Sequence, residues 1–170
     1  MSSKKTKILN KFDNFIKAIN KYFSIIAGLL ILIMSVAVFI DVIKRYFFNN
    51  PSTWILDFAA LSLVFVVFLS FAPALESGSH VSVDLFKEKA SGKVQKILEF
   101  IVFGLTLLFG LIFLWKTLDY TIQVAEDNVS SNSNIRIPLK YIYFIAPVGF
   151  LQFLLTTLNI YLNTITKNNV

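Results

Sequence analysis

The sequence has no cysteine, which excludes a disulfide, a thiolate metal site and a cysteine nucleophile. It has one histidine, His80, so no multi-histidine metal centre can be assembled within a single chain. Charge is scarce: Asp, Glu, Lys and Arg together make 15% of the residues, against about 25% in soluble domains. No glycine-rich phosphate loop and no nucleophile beside a general base is found, so neither an enzyme nor a bound cofactor is expected. What is abundant is apolar. Hydrophobic residues are 56% of the 170, with 18 Phe, and the mean hydropathy is +0.70. A small domain keeps much of its surface in contact with solvent, so apolar side chains in this number point to lipid. In a membrane protein the net charge of +6 reports orientation and contact with anionic lipid; no nucleic acid is expected.

A bilayer core about 30 Å thick takes ~20 apolar residues as helix. Four uncharged runs approach that length: 22–40, closed by Asp41; 58–75, between Asp57 and Glu76; 100–115, between Glu99 and Lys116; and 141–166, the longest and least purely apolar. With their flanks they predict spans at about 22–43, 54–75, 97–117 and 141–163. The first run has no small-residue cleavage site and is followed by three more, so it reads as a span and not as a signal peptide. The expected fold class is an all-α membrane protein, a single domain over 1–170 with four transmembrane helices.

Two interfacial elements are expected beside the spans. Over 8–21, Ile8, Leu9, Phe12, Phe15, Ile16 and Ile19, continued by Phe23, recur at helical steps, with Lys4, Lys11, Lys17 and Lys21 elsewhere or at the edges. A basic amphipathic helix of this kind lies in the membrane interface. Between spans two and three, 83–96 mixes Leu85, Phe86 and Val94 with four lysines. Of the 16 Lys and Arg, 11 fall on the N-terminal segment, the second connector and the tail. The other 5 are Lys44, Arg45, Lys116, Arg136 and Lys140. The positive-inside bias places both termini in the cytoplasm and the connectors 44–53 and 116–140 outside.

Several residues stand out as structural or interface candidates. Asp41 and Arg45, four apart, share a helix face at the end of the first span and suit an ion pair. Trp54 suits the interfacial belt. Asp57 either favours the positive end of a helix dipole or, as a charge near the membrane interior, carries a function. His80 follows the second span and reads as a loop or cap residue; Asp84, three before Lys87, suits a helix cap. Pro138 is placed to start the fourth span, and Pro147 to kink it by removing a backbone donor. Gly104 and Gly110 offer close helix approach on the third span. With no central charged pair and no internal repeat, the chain is not expected to carry a solute alone.

The stretch Arg45-Tyr46-Phe47-Phe48-Asn49-Asn50-Pro51, followed by Trp54 and Asp57, resembles the first outer turn of the small membrane subunits of TRAP transporters, the DctQ-like family. His80-Val81 with Val83-Asp84 is similar to that family's signature after the second span. Ile137-Pro138 and Pro147-Val148-Gly149 are similar to its last-span signature. The resemblance extends over about 11–162. Asp57 stands where many members have Glu, Leu56 where many have a second acid, Ala60 where some have Arg, and Glu76 where many have a base.

The resemblance implies a multi-pass subunit of the bacterial inner membrane, one of three parts in an uptake system. An extracytoplasmic binding protein captures an organic acid, of the sialic acid or C4-dicarboxylate type. A large membrane subunit of about twelve spans moves it inward by a sodium-driven, elevator-like motion. The small subunit pairs with the large one and enlarges its fixed scaffold. Two other readings remain: a haem or quinone anchor of a redox complex, which requires an axial histidine within a span, and a self-sufficient small transporter.

Overall fold

The computed structural model of the chain describes residues 2–78, 92–131 and 136–168. Helices make almost all of it: α1 (Ser2–Phe48), α2 (Ile55–Glu76), α3 (Gly92–Glu126), α4 (Lys140–Tyr143) and α5 (Ile145–Asn168). Four segments are long and apolar enough to cross a membrane: Leu9–Phe48, Ile55–Glu76, Ile97–Glu126 and Lys140–Thr164. The protein is an all-α membrane protein with four helical segments of spanning length.

The segment 8–21 does not stand apart as a helix of its own. It continues into the first span, so that α1 runs for 47 residues. The local cause is plain: α1 contains no proline, and its only glycine, Gly28, lies inside the apolar run. At ~1.5 Å per residue such a helix is about 70 Å long, more than twice the thickness of a bilayer core. It ends where Asn49 takes a left-handed φ of 48° and the Asn50 N–H donates to the Lys44 carbonyl at 3.2 Å, a helix closure that asparagine tolerates better than most residues. The element expected over 83–96 lies largely outside the described residues; from Gly92 onward it belongs to α3.

Side-chain pairings fix the directions of the helices. Asn20 meets Glu76 and Asp41 meets Ser52, so α1 and α2 are antiparallel. Phe103 stacks on Tyr161 and Gly110 faces Leu154, so α3 and α5 are antiparallel, while α5 runs alongside α2. Both helical ends of the chain therefore lie at one end of the bundle, here the terminal end; the segments 49–54, 127–131 and 136–139 lie at the other, the connector end. The main contacts follow the order α1, α2, α5, α3. Half of the most apolar window of the fourth segment is buried, against 6% in the first and third. The last helix is the centre, and α1 and α3 present apolar faces outward.

Lipid offers no hydrophobic drive for helix association, so these contacts rest on close packing. Phe150 is the hub. Phe71 and Phe113 stack on it at 5.3 and 5.2 Å, and Phe68 and Phe109 meet it edge-on at 5.9 and 6.1 Å. Gly149, one residue earlier, lets α2 approach: a Cβ there would strike the Phe68 carbonyl oxygen. Gly110 gives the same close approach to Leu154, as expected; Gly104 does not, since a Cβ there meets open space.

The fourth span is interrupted at Phe144, between α4 and α5. Pro147 has no N–H to give to the Tyr143 carbonyl, which frees that oxygen. The Thr121 hydroxyl of α3, already close to the Thr117 carbonyl, approaches it at 3.3 Å. Pro138 does not open the helix, which begins two residues later at Lys140. It sits instead opposite Ser130 in an isolated antiparallel bridge, flanked by bonds from Ser131 N–H to the Ile137 carbonyl at 2.9 Å and from Leu139 N–H to the Val129 carbonyl at 3.0 Å.

Candidate functional site

Two polar clusters bracket the apolar core. The first is at the terminal end and joins three helices. Asn20 of α1 is 2% exposed. Its side-chain amide donates to a Glu76 carboxylate oxygen at 2.6 Å and to the Thr156 hydroxyl at 3.1 Å. Its carbonyl oxygen accepts from the Gln152 amide at 2.8 Å. Gln152 also reaches the Ile16 backbone carbonyl at 3.5 Å. Further out, one oxygen of Asp13 accepts from Asn159 and Asn163, each at 2.8 Å, while the other pairs with Lys17 at 2.7 Å.

The N-terminal part of α1 is thus held along the end of α5 by polar contacts. Of the amphipathic face read from the sequence, Ile16 is buried against this seam, whereas Phe15 is 61% exposed. None of Asn20, Gln152 or Thr156 was singled out by sequence reading, nor was Asp13. A signal was available. Gln152, Thr156, Asn159 and Asn163 recur at steps of four, three and four, one polar stripe down the least apolar of the four runs.

The second cluster is at the connector end. Asp41 is 2% exposed. One of its oxygens accepts from the Ser52 backbone N–H at 2.7 Å, and the other pairs with Arg45 at 3.1 Å. Lys44 donates to the Ser52 hydroxyl at 2.8 Å. The ion pair read from the four-residue spacing is therefore one half of a pin that draws the first connector back onto α1. Trp54 stands just before α2, without a capping hydrogen bond from its side chain, and meets Phe58 edge-on at 6.3 Å. Asp57 lies in the first turn of α2. His80 and Asp84 fall outside the described residues.

Neither cluster presents a reactive arrangement. Among the described residues no group of three or more His, Cys, Asp and Glu could hold a metal ion, and every buried side-chain polar atom has a partner. Such satisfied networks fix helices against one another. Their spacing is informative. Asn20 and Asp41 are 21 positions apart on one helix, about 30 Å at ~1.5 Å per residue, which equals the thickness of a bilayer core.

Residues 34–167 match the family model described as Tripartite ATP-independent periplasmic transporters, DctQ component. The match takes in Asp41, the first connector and α5 as far as Lys167, and begins after Asp13 and Asn20. No curated protein matches the chain.

Proposed function

The chain belongs to the DctQ family, and from that premise we propose that it is the small scaffold subunit of a sodium-driven, binding-protein-dependent transporter that takes up an organic acid. The family supplies one component of tripartite TRAP systems, beside a large membrane subunit and a periplasmic binding protein, and it is a transporter family and not an enzyme family. The chain is accordingly a multi-pass protein of the bacterial inner membrane. In the proposed role it pairs with the large elevator subunit and holds it level in the bilayer. Both termini then face the cytoplasm and the connector end faces the binding protein. Substrates of the sialic acid or C4-dicarboxylate type bind in the large subunit.

The observation that carries this reading is the pairing of rigidity with a bare exterior. Hydrogen-bonded clusters lock the bundle towards both of its ends, while α1 and α3 turn apolar faces outward. An elevator needs a part that stays still while another crosses the bilayer, and stacked aromatic rings with satisfied polar locks resist bending. A haem anchor would need a histidine within a span; the only histidine, His80, lies between the second and third.

The test is reconstitution in liposomes with an inward sodium gradient, a binding protein and labelled organic acid. Three samples are compared: this chain, its large partner, and both. Uptake is expected only with both membrane chains. Robust sodium-driven uptake by this chain alone would overturn the scaffold role.

A further inference from the structure

We propose that the last turn of α1 is an aromatic collar seated in the lipid headgroup layer, and that lipid, not a protein partner, surrounds it. Tyr46, Phe47 and Phe48 are 82%, 81% and 72% exposed. Successive residues on a helix point about 100° apart, so these three rings face three different sides of α1. The turn therefore has no neighbour from its own chain over most of its circumference. A helix or flat protein surface laid against it would cover one side. A bilayer covers all of them.

Depth gives the second argument. Asp41, pinned to Ser52, closes the uncharged run of the first span. Tyr46 to Phe48 lie five to seven positions beyond it, about 8–10 Å at ~1.5 Å per residue, which places them in the interfacial layer and not in bulk water. Tyr46 brings a ring with a hydroxyl, suited to that layer. The polar turn of Asn49 and Asn50 follows at once, and the left-handed Asn49 with the Asn50–Lys44 bond stops the helix there. The collar is continuous with the apolar face of the first span. It sets how deep α1 sits, whichever side of the membrane the connector end meets.

The test uses the full chain in phosphatidylcholine vesicles, alone and assembled with the large subunit. Trp54 and Trp115 are replaced by Phe, and single tryptophans are introduced as Tyr46→Trp, Phe47→Trp and Phe48→Trp. Phospholipid brominated near the top of its acyl chains and aqueous iodide serve as quenchers. All three positions should lose most of their emission to the brominated lipid and little to iodide, with and without the large subunit. Loss of lipid quenching at any position on assembly would show that protein covers it, and strong iodide quenching would show a hydrated connector; either result overturns the collar. Should the tryptophan-free background fail to fold, Phe47→Cys carrying an environment-sensitive dye in the naturally cysteine-free chain gives the same reading.

Discussion

Asn20 donates to Glu76 across 2.6 Å, tying the first helix to the end of the second at the point where α5 crosses both. Glu76 accepts the amide of a buried asparagine. Removing Asn20 leaves the buried Gln152 and the half-buried Glu76 each short of a partner. Asn20→Leu should lower stability in detergent by about 1–3 kcal/mol, the cost of leaving buried polar groups unpaired. Lys17→Ala, which removes only the exposed side of a surface pair, should cost less than about 1 kcal/mol. Thermal unfolding of the purified protein checks both. Equal shifts for the two variants would mean that the cluster does not hold the bundle.

Three glycines on spanning helices separate packing from helix propensity. Gly149 lies against the Phe68 carbonyl, whereas Gly28 and Gly104 face open space. Gly149→Ala should destabilise by about 1–3 kcal/mol, since overpacking forces the two backbones apart. Gly28→Ala and Gly104→Ala should be neutral or stabilising by up to about 1 kcal/mol, because alanine is the better helix former. Melting temperatures of the three variants decide the matter, and a harmless Gly149→Ala would show that α2 and α5 are not in close contact there.

The break at Phe144 offers a cleaner test, since two residues share one carbonyl. Pro147 frees the Tyr143 oxygen and Thr121 approaches it at 3.3 Å. Thr121→Val should cost on the order of 1 kcal/mol in the native chain, as measured for interhelical polar contacts in membranes. In a Pro147→Ala background the same change should cost less, because residue 147 then supplies the missing N–H. A double-mutant cycle measures that coupling directly. Additive effects would show that the threonine does not serve this carbonyl.

The spans and their order were legible in the sequence because lipid demands long uncharged runs, and those runs can be counted. The Asp41–Arg45 pair was legible because four residues bring side chains to one helix face. The bond from Ser52 to Asp41 was not, since it depends on how the connector folds back. The cluster around Asn20 was hidden for a related reason. Each member is a lone polar residue in an apolar or amphipathic stretch, and only the packing of α1 along α5 brings Asn20 to Gln152 and Asp13 to Asn159. The continuity of α1 was hidden by composition: a change from basic-amphipathic to apolar at Tyr22 reads as two elements, but no helix breaker separates them. Gly104 and Gly110 look alike in sequence, and only the position of Leu154 distinguishes them.

Orientation is open to a direct measurement, because the chain has no cysteine to give background labelling. Lysines dominate the terminal end, and the positive-inside bias then puts the connector end outside the cell. Asn50 and Ser130 are exposed at the connector end, and Asn10 and Ser77 at the terminal end. Asn50 is a better reporter than Ser52, whose hydroxyl accepts from Lys44 and whose N–H is held by Asp41. In intact cells, with the outer membrane permeabilised, an impermeant thiol reagent should label Asn50→Cys and Ser130→Cys. It should leave Asn10→Cys and Ser77→Cys unlabelled until the inner membrane is opened. The reverse pattern would place the lysine-rich end outside, and the first connector could then no longer face a periplasmic binding protein.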